Sequence, residues 1–309
     1  MLRRSFLGVS LGAGQVIFND TATQAEVTVE RAYPGRPHAG KVLAAIQPHS
    51  DDIPLFAAGT VAKLIEEGYT GYLFRMTNDD MAGPGTVGDT VLANERDNQQ
   101  VARVLGLKKV YDLNYSNHQM DQESKLEIRA RLIFLFRLLK VDTIVGYDPW
   151  GHYEENPDHY VTAQVVEAAC WMAGGGKDYP EHFDAGLKPH AVQEKYYFSR
   201  GPQLVNRVVD ISSTIDRKVA ANLANLAQGP AGANGARLRR SLAGKGLRLP
   251  VLGESDESAN AAYVKRILLQ RDIETGRPHG LAYAEPFHYI GPPQDALGDY
   301  IRKNAVPLR

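Results

Sequence analysis

Short apolar runs alternate with longer segments of helical periodicity through the first half of the chain. Four of the runs have the length and composition of buried strands, at residues 41–46, 70–77, 109–113 and 142–147. The segments that follow them repeat apolar residues at helical spacing, at residues 55–67, 91–105, 123–139 and 159–172. This alternation predicts a Rossmann-like α/β fold, in which a mostly parallel sheet carries helices on both faces.

The alternation becomes less regular in the second half of the chain. Two further strands and two further helices are predicted there, the strands at residues 192–198 and 205–211 and the helices at residues 213–227 and 258–275. Residues 229–250 are rich in Gly, Arg and small residues, which predicts an excursion or a flexible loop, and residues 26–40 predict an irregular lead-in. No internal repeat divides the chain, so we expect one domain over residues 41–309.

The first 25 residues have the features of an export signal. Arg3 and Arg4 precede a mildly apolar stretch, Phe6 to Phe18, which is too short and too rich in Gly to span a bilayer. The run Arg-Arg-Ser-Phe-Leu resembles the twin-arginine export signal, although Leu2 stands where that signal has a polar residue. An ordinary frayed N-terminus is the alternative. We therefore expect an exported protein, periplasmic or extracellular, without a stable membrane span.

The balance of charges narrows the classes of partner. Lys and Arg total 35 against 36 Asp and Glu, a net charge of -1, and no basic stripe is present to neutralise phosphates. Nucleic acid is therefore a poor partner. The single Cys170 excludes an intramolecular disulfide, a zinc site built from thiolates and a CxxC redox pair.

Two polar clusters follow predicted strands, where ligands bind in open parallel sheets. Pro48-His49-Ser50-Asp51-Asp52 follows the first strand, and a second cluster from Asp148 to His159 follows the fourth. If these two strands are neighbours, both loops reach one crevice, and two His with one Asp can form a three-ligand Zn²⁺ site with an open position for water. The alternative for either cluster alone is a set of caps, turns and solvated side chains.

The two clusters resemble the motifs of the PIG-L/LmbE-like family of zinc-dependent N-deacetylases. That family typically shows Ala-His-Pro-Asp-Asp-Glu after its first strand and His-Pro-Asp-His after a later one. This chain has Pro48-His49-Ser50-Asp51-Asp52-Ile53 and Asn156-Pro157-Asp158-His159 in the same order. Weaker similarities, among them Lys218, Gln228 and Ala284-Glu285-Pro286-Phe287, extend the resemblance over residues 41–290.

The resemblance implies an activity and a role for several residues. The implied reaction removes an acyl group, most simply acetyl, from an N-acylated amino sugar or a similar glycoconjugate. His49, Asp52 and His159 would be the ligands of Zn²⁺, although Fe²⁺ can use the same set. Asp51, beside the metal, would be the general base that takes a proton from the attacking water.

The chain departs from the family pattern at a position that bears on catalysis. Asn156 replaces the first His of His-Pro-Asp-His, which in relatives is thought to stabilise the oxyanion in its protonated form. Asn can donate a hydrogen bond to an oxyanion but carries no proton to deliver. We therefore predict His152, on the same loop, as a further catalytic residue. Asp158 is expected to orient a ligand or cap a helix rather than to bind metal.

Substrate contacts are predicted from two further segments. Asp79 and Asp80 follow the second strand and are predicted to meet sugar hydroxyls. Arg96 lies near the position where the family has a substrate-contacting Arg, with Asn94 competing for the match. Several residues after the third strand could also line the cleft, namely Tyr115, Asn117, His118 and Asp121.

Two other classes of protein remain open at this point. A non-catalytic protein on the same scaffold could hold metal or glycan without turnover, which the replacement at Asn156 motivates and the retained Asp51 argues against. A nucleotide-binding Rossmann-like enzyme is the second alternative. It is disfavoured because Pro48-His49 stands where a glycine fingerprint would follow the first strand.

Overall fold

The structure, a computed structural model, describes residues 27–292 and 295–307 and is built on an eight-stranded sheet. The strands are β1 (Thr28–Glu30), β2 (Val42–Gln47), β3 (Thr70–Thr77), β4 (Val110–Tyr115), β5 (Thr143–Tyr147), β6 (Glu194–Phe198), β7 (Arg207–Asp210) and β8 (Ala284–Ile290). Their spatial order is β1-β7-β8-β6-β5-β2-β3-β4. Only β8 runs antiparallel to its neighbours, β6 and β7, so the predicted mostly parallel sheet is confirmed.

Helices connect the strands and cover the sheet. In chain order they are α1 (Asp52–Phe56), α2 (Ala58–Glu66), α3 (Val87–Leu105), α4 (Lys125–Leu139), α5 (Pro157–Ala173), α6 (Glu181–Asp184), α7 (Ile215–Ala224), α8 (Asn234–Ala243), α9 (Asp256–Tyr263), α10 (Gln270–Gly276) and α11 (Ala296–Asn304). No helix in residues 27–292 and 295–307 is long and apolar enough to cross a membrane. The predicted export signal lies outside the described residues.

The two faces of the sheet carry separate apolar cores. Leu43 and Ala45 of β2 pack against α1, α2, α3 and α7, whereas the alternate residues Ala44 and Ile46 pack against α4 and α5. All four side chains are fully buried. Strands buried on both faces read as continuous apolar runs, which is why β2 and β5 were predictable from the sequence.

Two strands lie where the sequence analysis expected none. Thr28–Glu30 forms β1 inside the predicted lead-in and pairs with β7. β8 was missed because Pro286 and Glu285 interrupt its apolar pattern. Glu285 is nevertheless fully buried, because the Nζ atom of Lys218 donates to its carboxylate at 2.7 Å and the backbone N–H groups of Gly59 and Thr60 also donate to it.

Two predictions in the second half of the chain are wrong in detail. Residues 229–250 are not a continuous loop, because Asn234–Ala243 forms α8. The predicted helix at residues 258–275 is divided into α9 and α10 by a turn of π-helix at Val264–Leu268. This added helical layer follows Gln228, which lies at the cleft described below.

The order of the strands brings the two polar clusters together. β2 and β5 pair in parallel, with Leu43 opposite Thr143 and Ala45 opposite Val145. Both strands therefore end at the same edge of the sheet, and the clusters that begin at Pro48 and Asp148 leave the sheet side by side. The prediction that the first and fourth strands of the sequence pattern are neighbours is confirmed.

Candidate active site

Loops at the carboxyl ends of the strands enclose a cleft of about 230 Å³. Its lining residues are His49, Asp51, Asp52, Leu55, Phe56, Ala82, Asn117, His118, Asn156, His159, Arg200 and Gln228. A larger groove of about 450 Å³ lies beside β4 and α4, but among its lining residues only Asp112, Arg131 and His182 carry acidic or basic side chains. The convergence of functional groups therefore selects the smaller cleft.

Three buried side chains in this cleft meet around one point. The Nδ1 atom of His49 lies 2.9 Å from the Nε2 atom of His159. The Asp52 carboxylate lies 3.6 Å from each of these nitrogens, through Oδ2 toward His49 and Oδ1 toward His159. One ligand atom from each residue falls within 4.8 Å of the others, which is the spacing of groups that share a metal ion.

Local structure fixes the orientation of the Asp52 carboxylate. Asp52 is the first residue of α1, three positions after His49, so its Oδ2 accepts the backbone N–H of His49 at 2.8 Å. Its Oδ1 accepts the hydroxyl of Tyr147, at the end of β5, at 2.7 Å. The Tyr147 ring also stacks on His159, with centroids 4.3 Å apart. Contacts at the start of α1 and at the end of β5 thus hold the three side chains in one arrangement.

Two carboxylates contact the outer nitrogens of the histidines. Asp158 Oδ2 lies 2.9 Å from Nε2 of His49, and Glu154 Oε1 lies 3.2 Å from Nδ1 of His159. A carboxylate acceptor favours a proton on the nitrogen that it contacts, which leaves a lone pair on the other nitrogen of each ring. The lone pairs of His49 and His159 then face each other at 2.9 Å, an arrangement that a bound cation stabilises. The donor set therefore fits a metal ion.

The pKa values of these two outer carboxyl groups keep them ionised beside the histidines. Burial raises the pKa of Glu154, but the contact with His159 and the hydrogen bonds from Arg200 outweigh burial and lower the pKa to about 2. Burial likewise raises the pKa of Asp158, and the bonds from His49 and the backbone of His118 hold it below its ordinary value. Asp158 thus orients a histidine, as the sequence analysis expected.

Asp51 lies in the cleft beside the three converging side chains. It is the N-cap residue of α1, directly before Asp52. Burial, together with the neighbouring charge of Asp52, raises the pKa of Asp51 to about 7. A carboxyl group whose pKa lies near neutrality suits proton transfer in both directions.

Asn156 combines a structural and a chemical capacity. It caps the N-terminus of α5, where its Oδ1 accepts the backbone N–H of Asp158 at 2.9 Å, and Pro157 follows as the first helical residue. Because Oδ1 is used in this bond, Nδ2 is the group of the side chain that remains for a ligand, and Asn156 lines the cleft. Asn156 can therefore donate a hydrogen bond to a bound ligand.

Asp79 and Asp80 do not have the predicted position on the cleft wall. Asp79 is fully buried, and its Oδ2 accepts the hydroxyl of Ser50 at 2.5 Å. Asp80 accepts the hydroxyl of Ser116 and the backbone N–H of Asn117, at 2.8 and 2.9 Å. Both carboxylates are used to join the loops after β2, β3 and β4, and the sugar contacts of this pair stay a prediction.

Arg96 and His152 also lie away from the cleft. Arg96 is exposed on the outer face of α3, whereas the competing Asn94 is buried and donates to the backbone oxygen of Ala82 at 2.8 Å. His152 is exposed, and its backbone N–H bonds to Pro202. Neither Arg96 nor His152 is among the residues that line the cleft, so the structure does not bring them together with the converging side chains, and their roles stay predictions.

Three residues of the site were missed by the sequence analysis as functional groups. Glu154 contacts His159, and Arg200 donates to Glu154 through Nε and Nη2 at 3.1 and 2.6 Å. Arg200 follows β6, so the rule about carboxyl ends of strands would have found it. Gln228 follows α7, and its only sequence signal was a weak family similarity.

The fold and the site together define a class of protein. A parallel α/β sheet with a His–Asp–His group at its carboxyl edge, and an acid beside it, has the architecture of metal-dependent hydrolases. Residues 44–170 match the family model of PIG-L, described as GlcNAc-PI de-N-acetylase. The matched segment contains both polar clusters of the cleft, as the resemblance in the sequence analysis predicts.

Individual relatives agree with this assignment. Diacetylchitobiose deacetylase of Thermococcus kodakarensis is 29% identical over 185 residues, which are 59% of this chain and 67% of that protein. The structure of N,N'-diacetylchitobiose deacetylase from Pyrococcus horikoshii aligns with a TM-score of 0.64 and 22% identity, over 81% of this chain and 84% of that one. The family match and the sequence relative indicate that the chain is an amide hydrolase of the N-deacetylase type.

The same fold also carries other chemistry. The structure of 4-carboxy-2-hydroxymuconate hydratase from Pseudomonas putida KT2440 aligns with a TM-score of 0.58 and 17% identity, over 82% of this chain and 98% of that one. Structural likeness at this identity shows the fold alone. The reaction must therefore be argued from the residues of the cleft.

Proposed function

We propose that the protein is a zinc-dependent N-deacetylase that releases acetate from an N-acetylated amino sugar. The observation that carries the proposal is the approach of His49 Nδ1 to His159 Nε2 at 2.9 Å, with Asp52 beside both and a carboxylate behind each ring. Imidazole and carboxylate donors suit Zn²⁺, and Fe²⁺ can use the same set. The sugar preference is supported by the activity named for the Thermococcus kodakarensis relative.

The residues of the cleft divide the work of amide hydrolysis among them. His49, Asp52 and His159 would hold the ion, which when bound supplies a Lewis acid that polarises the amide carbonyl and acidifies water. Asp51 takes the proton from the attacking water. Asn156 donates through Nδ2 to the oxygen of the former carbonyl as negative charge develops on it.

The leaving amine needs a proton, and Asp51 lies in the cleft beside the converging side chains. Asp51, protonated in the first step, can deliver that proton to the departing nitrogen, so one carboxyl group serves as base and then as acid. Its raised pKa, about 7, supports both steps. His152 lies outside the cleft, so the proposal does not assign it a proton transfer.

The proposal extends to where the protein acts. The twin-arginine-like residues Arg3 and Arg4 support export of the folded chain, and with it a substrate such as an envelope glycan or an exogenous amino sugar. The test is fractionation of a bacterial host that expresses the full chain and an Arg3→Lys/Arg4→Lys variant. Export predicts that the variant stays in the cytoplasm and the wild type does not; the same distribution for both would contradict it.

The activity is tested with purified protein. Metal content is measured, and acetate release is assayed with N-acetylglucosamine and N,N'-diacetylchitobiose before metal removal, after it, and after Zn²⁺ or Fe²⁺ is restored. The Asp51→Asn variant is expected to lose about 10²- to 10⁴-fold in kcat while it keeps its metal. Full activity in this variant, or in metal-free protein, would overturn the mechanism. One equivalent of metal with no hydrolysis would favour the non-catalytic alternative.

A further inference from the structure

A chain of hydrogen bonds lies beneath residues 49–52, the loop that brings the first polar cluster into the cleft. Its members are at most 1% exposed, namely Gln47, Ser50, Asp79 and Asn98. Gln47 Nε2 donates to Asn98 Oδ1 at 2.6 Å, and Asn98 Nδ2 donates to Ser50 Oγ at 2.6 Å. The Ser50 hydroxyl then donates to Asp79 Oδ2 at 2.5 Å. Every bond runs toward Asp79, whose carboxylate is the final acceptor.

The end of β3 holds Asp79 in a fixed position. The φ angle of Asp79 is 56°, in the left-handed region, where Asp and Asn are the most frequent residues after Gly. Arg75 Nη1 lies 3.7 Å from its Oδ2, so a buried cation faces the buried carboxylate. Thr77, two residues earlier, donates through its N–H and its hydroxyl to the backbone oxygen of Pro48, at 3.1 and 2.8 Å. The segment after β3 therefore holds the first cluster at two points, Pro48 and Ser50.

Ser50 stands where the motif that this chain resembles has a proline. A proline ring fixes φ, and so restricts a loop without any partner, whereas a serine leaves φ free. In this chain the ring is absent, and a hydroxyl bonded to Asp79 occupies the position. The hydrogen bond thus supplies a restraint at a place where the covalent one is missing.

We propose that Asp79 is a positioning residue for catalysis, which fixes the loop by holding the Ser50 hydroxyl. Ser50 is bonded covalently to His49 on one side and to Asp51 on the other, so its position sets the spacing of these two side chains in the cleft. The inference rests on the proposed function and assigns it a residue that lies outside the lining of the cleft. Small displacements of a catalytic group are costly to the rate, which is why such a restraint matters.

Kinetics of acetate release test the hydrogen bond to Asp79. Asp79→Gly removes the acceptor, and Gly adopts the same φ angle without strain. We expect kcat to fall about 10- to 100-fold and KM to stay within about two-fold, because the loop carries the base that activates water. Asp79→Asn keeps an oxygen that accepts the Ser50 hydroxyl, so it should retain most of kcat. Equal losses in the two variants, or a wild-type kcat in Asp79→Gly, would overturn the proposal.

Ser50→Pro tests whether the hydrogen bond replaces a proline. In the single variant the carboxylate of Asp79 loses its donor while it stays buried, so kcat should fall. In Ser50→Pro/Asp79→Gly that carboxylate is gone, and Asn98 Nδ2 still donates to the backbone oxygen of Asn94 at 2.8 Å. The ring then restricts the loop, and kcat should exceed that of either single variant by about ten-fold. A double variant no more active than Asp79→Gly would contradict the exchange of one restraint for the other.

A carboxylate at the other end of β2 provides a matched control. Asp142 Oδ2 accepts the backbone N–H of Val42, the first residue of β2, at 2.8 Å, and Asp142 does not line the cleft. Asp142→Ala should lower the free energy of unfolding and leave kcat within about two-fold of wild type. All variants are assayed at a temperature at which circular dichroism shows them folded. A loss of kcat in Asp142→Ala as large as that in Asp79→Gly would show that stability alone explains the effect, and the proposal would fall.

Amide hydrogen exchange distinguishes failure of this inference from failure of the proposed function. It is measured on metal-free protein and needs no turnover. In Asp79→Gly the amides of residues 49–53 should exchange about ten-fold faster than in wild type, and in Asp79→Asn and Asp142→Ala at about the wild-type rate. Unchanged exchange in Asp79→Gly would overturn the inference whatever the activity. Faster exchange in that variant, with no hydrolysis by wild type, would leave the restraint on the loop standing while the proposed reaction falls.

Discussion

Glu154 Oε1 lies 3.2 Å from Nδ1 of His159, on the side of the ring away from Asp52. The same carboxylate receives two hydrogen bonds from Arg200, so a metal-binding geometry at His159 depends on residues behind it. Contacts of this kind set the tautomer and orientation of a ligating histidine. The cleft therefore has two layers of side chains. His49, Asp52 and His159 converge in front, and Glu154 and Asp158 lie behind the two histidines.

Glu154→Gln should weaken metal binding. The amide cannot hold the proton on His159 Nδ1 as a carboxylate does, so we expect an affinity for Zn²⁺ about 10- to 100-fold lower, measured by competition with a chromogenic chelator. Glu155→Gln is the matched control, because Glu155 is adjacent but exposed. Wild-type affinity in Glu154→Gln would show that this carboxylate has no part in binding the metal.

Metal removal should lower the stability of the whole protein. An ion that binds only the native state stabilises it by about 2.7 kcal/mol when free metal is at 100 times Kd. Chemical denaturation with and without chelator measures the difference. In His49→Ala, which removes one of the three converging ligands, chelation should have no such effect. Equal stability of wild-type protein in both conditions would argue against a resident ion.

Asn156 offers a way to separate capping from catalysis. Asn156→Ala removes both the cap of α5 and the Nδ2 donor, so we expect a loss of about 1 kcal/mol in the free energy of unfolding and about 10²- to 10³-fold in kcat. Asn156→Asp keeps an oxygen that caps the helix but has no donor. It should regain stability without regaining kcat. Full activity in Asn156→Asp would exclude the side chain as an oxyanion donor.

The central strands of the sheet were predictable because a strand that is buried on both faces has a continuous apolar sequence. β8 was not, since its buried Glu285 depends on Lys218, a partner 67 residues away in the sequence. The residues of the site divide in the same way, into those that the sequence pattern located and those that it did not. His49, Asp52 and His159 follow strands whose order the α/β alternation predicts, whereas His152 depends on the path of an irregular loop.

The outward position of Arg96 has a physical reason in the pattern of α3. The inward face of this helix carries Asn94, Asn98, Val101 and Leu105, all buried at helical spacing, and Arg96 falls between them on the outer face. Two of the inward residues are polar. Asn98 is buried because it bonds to Gln47 and Ser50 under the first cluster, so hydrophobicity alone did not reveal which face points inward.

The different positions of Arg96, outside the cleft, and Arg200, in its lining, can be tested. Arg96→Ala should change kcat/KM by less than about two-fold, because the side chain lies outside the cleft. Arg200→Ala, which removes a guanidinium from the cleft and the partner of Glu154, should lower it by about ten-fold or more. Steady-state assays on the two variants decide the matter, and a larger effect at Arg96 would contradict the placement of α3.

The charge cluster at Glu30 explains how the three-residue β1 is held at the sheet edge. Glu30 is 5% exposed and accepts from Lys63 of α2 at 2.9 Å, Arg207 of β7 at 2.6 Å and the Tyr196 hydroxyl of β6 at 3.0 Å. Removal of the Glu30 charge would leave the partly buried guanidinium of Arg207 without its carboxylate, whereas Lys63 would keep Glu67 at 3.0 Å. Glu30→Gln should therefore lower the free energy of unfolding by about 3 kcal/mol at pH 7, whereas Glu66→Gln, in an exposed pair with Arg217, should cost less than about 1 kcal/mol.

The contribution of Glu30 should also depend on pH in a defined direction. Burial raises the pKa of Glu30, but Lys63 and Arg207 outweigh burial and hold it below its ordinary value of 4.5. As pH falls, the Glu30 carboxylate is therefore protonated in the unfolded chain before it is protonated in the folded one. The stabilisation by Glu30 is complete above its ordinary pKa and is lost as pH drops through the lower pKa of the folded state. Denaturation of wild type and Glu30→Gln from pH 7 to pH 3 measures this. The difference in unfolding free energy should be constant from pH 7 to about pH 5 and shrink below it; a difference that grows in acid would contradict the assignment.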